Sequence, residues 1–238
     1  MRLTANKLIA AAALAIAPVA ASASTITATF DQGASNYTNA QMSLNSGGSW
    51  QTVGAGMLAF DITASDIVGL TGQTIYSWCI EPTEYVLYSG TYTVGPVSSG
   101  NTALGGMGTT KANLVNELFA RYLPVFSAGA TLQVAQALQL AVWEIVAETS
   151  GTYNVSTGTA RFVGYDASVI PLAQSYINAV TPTGGPLLSN LFAMYRIGNQ
   201  DQLIQLPGGG TAVPEPGALG ILGLGLLGAA IARRRRKA

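Results

Sequence analysis

Two uncharged apolar stretches, one near each end and each flanked by basic residues, set how much of this 238-residue chain is free to fold in water. The first, Leu8 to Ala17, follows Arg2 and Lys7 and precedes the small-residue site Ala21-Ser22-Ala23, the pattern of a secretory signal peptide. Residues 1–23 are therefore expected to be cleaved, so that the mature chain begins near Ser24. The second stretch runs from Gly217 to Ala232 and is followed by Arg233, Arg234, Arg235, Arg236 and Lys237. A helix of this length reaches ~24 Å, short of the ~30 Å hydrocarbon core of a bilayer, so a span needs snorkelling arginines to complete it. Clustered positive charge beside that span holds its end in the cytoplasm, and the signal peptide sends the intervening chain outward.

Just before the apolar stretch stands Pro214-Glu215-Pro216. Proline motif, apolar helix and arginine cluster, in that order, closely resemble the PEP-CTERM sorting signal of Gram-negative bacteria. The resemblance implies recognition by a membrane-embedded exosortase, a transient inner-membrane anchor that is removed on processing, and delivery to the outer surface or an extracellular matrix such as a biofilm. The expected organisation is a signal peptide over 1–23, an ectodomain over 24–206, a linker over 207–216, a transmembrane helix over 217–232 and a basic cytoplasmic tail over 233–238.

Removing the two ends changes the charge balance. The ectodomain keeps only Lys111, Arg121, Arg161 and Arg196 against 10 acidic side chains, a formal charge of 4 − 10 = −6. Nucleic-acid binding, which draws on clustered lysine and arginine, is disfavoured. Histidine is absent, which excludes Ser-His-Asp and Cys-His catalysis and the commonest zinc ligand. Cys79 is the one cysteine, so neither an internal disulfide nor a thiolate metal cage can form. No metal site and no cofactor are expected, and enzymatic turnover is not.

The first half reads as strands at 24–31, 56–63, 73–81 and 84–94, rich in Thr, Tyr, Ile and Val. Segments 39–56 and 95–108, dense in Gly, Ser and Asn, read as loops. Helical periodicity follows at 109–123, where Leu114 and Leu118 share a face, at 131–148, and at 166–180, with Asp166 or Ser168 as cap and Pro171 in the first turn. Residues 152–164 read as a hairpin or loop, and 189–206 return to strand character. The expected fold is α+β: a mainly antiparallel β-sandwich or barrel with about three packed helices.

The helix at 131–148 contains an oddity. Leu132, Ala135, Leu138, Val142, Trp143, Ile145 and Val146 lie on one arc, with Gln133, Glu144 and Glu148 opposite as a solvated face. Gln139 falls inside the apolar arc, where an unpartnered amide costs about 1–3 kcal/mol. On the strand at 73–81, Tyr76, Trp78 and Ile80 alternate with Ile75, Ser77 and Cys79, so bulky core aromatics on one face leave the thiol on the other, where a helix can cover it. If that helix is 131–148, the sulfur can attack the Gln139 carboxamide, expel ammonia and leave a γ-glutamyl thioester. Alternatively, Cys79 is a small buried hydrophobe and Gln139 donates to a strand-end carbonyl.

Trp78-Cys79-Ile80-Glu81 and Gln139-Leu140-Ala141-Val142-Trp143 resemble the two signature motifs of bacterial thioester domains, covalent adhesion domains of surface proteins. The resemblance spans roughly Tyr76 to Glu148. It implies Cys79 as thiol and leaving group, Gln139 as acyl donor, Trp143 as a shield against water and Ala141 as the small residue that admits the sheet. Glu81 either helps to deprotonate an incoming amine or is a solvated strand-end carboxylate. The implied partner is an amine, or a hydroxyl, on a target surface. The alternative is a non-covalent structural or exopolysaccharide-associated matrix protein with a buried free cysteine.

Overall fold

The structure, a computed structural model, describes residues 23–44, 48–122, 130–180 and 185–207. The expected signal peptide up to residue 22, the Pro214-Glu215-Pro216 motif, the apolar segment 217–232 and the basic tail lie outside the described residues. Among those that are described, no helix is long and apolar enough to cross a membrane. Ala23–Val213 forms one compact unit.

Among the described residues, seven strands make a single antiparallel sheet: β1 (Ser24–Ser43), β2 (Gln51–Ser65), β3 (Thr74–Cys79), β4 (Ser89–Gly95), β5 (Arg161–Val163), β6 (Leu191–Arg196) and β7 (Asn199–Gln205). Their order is β2-β3-β7-β6-β4-β1-β5, and a further β1–β2 pairing closes six of them into a barrel with β5 added alongside β1. Closure removes the exposed edges that an open sheet would leave. Between the choices of sandwich and barrel, the chain is a barrel. The three α-helices among the described residues, α1 (Gly108–Tyr122), α2 (Leu132–Ala147) and α3 (Val169–Ala179), fall between β4 and β6, preceded by 3-10 turns at Val97–Ser99 and Thr102–Leu104.

Two cores result. Inside the barrel, Ile26, Phe60, Ile62, Tyr92, Met194 and Ile204 pack together. Outside it, the helices bury a larger cluster against Ala40, Met42, Ala55, Met57, Trp78 and Ile80. The second core corrects the loop reading of 39–56 at 39–43 and 51–56, which are strand. Both β1 and β2 continue well past the barrel, pairing from Asn36↔Met57 to Met42↔Gln51, and their small or flexible residues make a floor for α2. A register shift between Asp31 and Asn36 bends β1 at the changeover. Gly56 answers that bulge from the opposite strand: its φ is +149°, and a Cβ there would sit 2.4 Å from the Asn36 carbonyl oxygen. The strand expected over 84–94 begins only at Ser89, because 82–88 is a turn and an extended loop.

Helix α2 is central. Thr131 caps it, its hydroxyl accepting from the Val134 N–H at 3.4 Å. Every residue from Ala135 to Val146 is buried. The solvated outer face expected for Glu144 and Glu148 therefore does not exist: segment 149–160 folds over it, at the end of a helix already enclosed by sheet and neighbouring helices. For α3, Ser168 occupies the cap position without a side-chain cap bond, and Asp166 instead accepts from the Ser168 N–H at 2.7 Å.

Candidate functional site

Cys79 ends β3, and the strand alternation works differently there from the simple two-face expectation. Ile75 points into the barrel cluster, while Trp78 lies outside, edge-on to Phe119 of α1 with ring centroids 5.0 Å apart. Tyr76 is not a core aromatic; it is 37% exposed, because no helix extends over that part of the strand. Cys79 is 2% exposed, belongs to the helical cluster and is a free thiol.

The structure brings Gln139 directly to Cys79. The Cys79 N–H donates to Oε1 of Gln139 at 2.9 Å, and Nε2 of Gln139 donates to the Cys79 carbonyl at 2.7 Å. A glutamine in an apolar arc is tolerated because its amide completes the hydrogen bonding of a strand end, as a further strand would.

Trp143 lies one helical turn further on, buried and stacked on Phe162 at 6.2 Å. Burial pushes the Cys79 thiol up to about 12, against the weaker opposing pull of the nearby Trp143 indole N–H and the Glu81 N–H; the Glu81 and Asp201 carboxylates push it further up. The indole N–H makes no regular hydrogen bond, so it attends the sulfur loosely. Glu81 N–H reaches Sγ at 3.4 Å. Ala141 is fully buried.

Glu81 is not a solvated carboxylate. It is completely buried; one oxygen accepts from the Ala103 N–H and the other from the Asp201 N–H at 3.1 Å. Burial raises its pKa above the ordinary carboxylate value, partly offset by these donors. With both oxygens engaged, Glu81 anchors the loop at 101–104 to β7 and is poorly placed to take a proton from an incoming amine. Asp201 works in the same unit, accepting from the Thr102 N–H at 2.8 Å and the Arg196 N–H at 2.9 Å.

Several anchoring residues escaped the sequence reading. Gln136, one turn before Gln139, donates to the carbonyls of Thr38 and Asn39 and accepts from the Tyr165 N–H at 2.8 Å. Two glutamines spaced by three residues thus tie one face of α2 to two different strands, a spacing that was available as a signal. Glu144 accepts from the Asn154 N–H at 2.7 Å, while its other oxygen has no partner. Burial raises its pKa to about 7, with the Glu148 carboxylate adding to the rise and the Asn154 N–H opposing it. Burial would also raise Glu148, but N–H and hydroxyl donors from Ser150 and Thr159 outweigh it and hold the group at about 2. Among the described residues no cluster of three or more potential ligands could hold a metal ion.

Comparison with known proteins bears on the C-terminal segment. No curated protein and no solved structure matches the chain. Residues 212–237 match the family model of the PEP-CTERM protein-sorting motif, covering Pro214, Glu215, Pro216 and the arginines 233 to 236. The chain carries a PEP-CTERM sorting motif, which implies export, a membrane-anchored C-terminal segment before processing, and an exosortase as processing partner.

Proposed function

We propose that this exosortase-processed protein works at the cell surface or in the extracellular matrix, and that Cys79 and Gln139 condense into an internal thioester that later acylates an amine or hydroxyl on a target surface. The supporting observation is the two-point grip of Gln139 on the Cys79 backbone. It holds the carboxamide beside the residue that carries the thiol, and it aims an N–H donor at the carbonyl oxygen on which negative charge develops during attack.

In the condensation, the Cys79 sulfur bonds to Cδ of Gln139, the C–N bond breaks, and the thiol proton leaves with the nitrogen as ammonia. In the later step the target amine bonds to the same carbon, the C–S bond breaks, and an amine proton returns to the sulfur. A thiol pushed to about 12 is almost wholly protonated at neutral pH, so its proton must pass to the departing nitrogen within the site. The chemistry is single-turnover. Trp143 and the surrounding apolar cluster exclude water, which would otherwise hydrolyse the bond.

Intact mass spectrometry of the exported protein tests this. The expected mass falls short by one ammonia, methylamine abolishes the deficit by adding itself, and Cys79→Ala and Gln139→Ala show no deficit. A full mass with a free thiol in untreated protein overturns the reading.

The same two hydrogen bonds favour a second reading, because they satisfy the amide without any covalent link. In that case Gln139 is a clamp between α2 and β3, and the chain is a non-covalent structural or polysaccharide-associated matrix protein. Adhesion or matrix assembly is then unchanged in Cys79→Ala, whereas the thioester reading expects it to be lost.

A further inference from the structure

A cavity of about 520 Å³ lies between the bulged middle of β1, the β2 segment 51–54, the loop that follows β3, and α2. Phe30 and Tyr37 form one wall, their rings 6.4 Å apart and tilted by 47°. Tyr85, on the 82–88 loop, also lines the cavity. That loop has no regular structure, yet it is pinned: the Gln200 N–H donates to the Tyr85 carbonyl at 3.0 Å, the Gln200 side chain to the Glu84 carbonyl at 2.9 Å, and the Leu87 N–H to Asn199 at 2.9 Å.

A loop held this firmly could turn its aromatic rings inward. Instead Tyr85 is 82% exposed and Tyr88 75%. Such rings contribute little to folding while they stay in water, and a fixed aromatic at a cavity edge is a ready contact for a ligand with an apolar face.

We propose that this cleft binds a neutral polysaccharide chain. Sugar rings offer C–H faces to aromatic side chains and hydroxyls to amides, and the cleft supplies both kinds of partner in Phe30, Tyr37 and Tyr85 and in the exposed Gln51 and Thr52. Among the described lining residues Glu84 is the one charged side chain, and no lysine or arginine is present. An acidic ectodomain with an acidic cleft repels anionic glycans and phosphate-bearing polymers. A second cavity of about 310 Å³ shares Gln51, Pro82 and Thr83 with the first, so the two adjoin, which suits a chain rather than a compact solute.

The inference deepens the polysaccharide-associated reading, and it holds whether or not the thioester forms. Trp143 is among the residues that line the cavity, and Cys79 and Gln139 are not. Binding here would bring a glycan-coated surface next to the Cys79–Gln139 pair.

Affinity electrophoresis of the exported protein tests the proposal, in gels containing dextran, a mixed-linkage β-glucan or galactomannan, with alginate and oligolysine as charged comparisons. Retardation is expected in at least one neutral gel. Tyr85→Ala, at an exposed position that folding does not depend on, should weaken it about three- to tenfold, the loss of one stacking contact. Cys79→Ser, which removes the proposed covalent bond, should still be retarded in the same neutral gel, so failure of the thioester reading stays separable from failure of this one. Absence of retardation in every neutral gel, retardation by alginate or oligolysine alone, or full retardation of Tyr85→Ala would each overturn the proposal.

Discussion

The carboxamide of Gln139 is bonded through both its polar atoms to the backbone of one residue, Cys79, at 2.9 Å and 2.7 Å. A helix side chain thereby acts as a short stretch of strand. The pairing joins the central helix to the end of β3 at the point where the chain's one thiol is buried.

Replacing Gln139 by Leu should leave a buried N–H and a buried carbonyl of Cys79 unpaired. Measured in a Cys79→Ala background, so that no covalent link contributes, the cost should be about 2–4 kcal/mol. Urea unfolding of the double and single variants checks it; a difference below about 0.5 kcal/mol would show that water or a shifted backbone replaces the amide.

The buried free thiol of Cys79 should react very slowly in the native protein. With its pKa raised from 9.0 to about 12, the thiolate fraction at pH 8 is roughly a thousandfold below that of the unfolded chain. Iodoacetamide labelling followed by mass spectrometry, with and without urea, measures the ratio. The sign of the stability linkage is definite: burial favours the neutral thiol, so its contribution is complete below pH 9 and is lost as pH rises through about 12.

Glu144 should make the fold sensitive to mild alkali. Its folded pKa of about 7 lies above the ordinary 4.5, so the stability that depends on its protonated form is present below pH 4.5 and is lost as pH rises through 7. Glu144→Gln, which keeps the acceptor for the Asn154 N–H, should be more stable than the parent at pH 9 by about 1–3 kcal/mol and nearly equal at pH 4.5. Glu148 has the opposite sign: its folded pKa of about 2 gives stability that is present above pH 4.5 and lost as pH falls through 2. Urea midpoints of parent, Glu144→Gln and Glu148→Gln across this range distinguish the two.

Altering the sorting segment should change processing and leave the ectodomain intact. Pro214→Ala with Glu215→Ala and Pro216→Ala, within the matched segment 212–237, should leave an unprocessed precursor in the inner membrane, visible by fractionation and immunoblotting as a larger species. Normal processing of this variant would remove exosortase as the partner.

Much of this molecule was legible because its signals are local. The apolar stretches and flanking charges near the two ends depend only on neighbours in sequence, and the match over 212–237 agrees with the reading of the C-terminal one. Helices α1 to α3 fall close to the expected ranges because their periodicity is continuous and Thr131 is a strong cap. Gln139 stood out because a primary amide interrupts an apolar arc, and its partner proved to be the expected strand end.

The rest depended on contacts between distant segments. Segment 39–56 has the composition of a loop, yet 39–43 and 51–56 are strand, because α2 supplies the second hydrophobic surface that Ala40, Met42, Ala55 and Met57 cannot build alone. Glu81, Glu144 and Glu148 looked like solvated carboxylates, since a charge is ordinarily left in water; here backbone N–H donors, from β7 for Glu81 and from the segment after α2 for Glu144 and Glu148, replace that water. Closure of the sheet rests likewise on β1 pairing with both β2 and β4, a choice between partners that no local pattern encodes. Sequence alone determined the address, the helices and the conspicuous cysteine and glutamine, because each is written in neighbouring residues. Tertiary structure decided which charges are buried and what meets what, because burial is a property of the partner as much as of the residue.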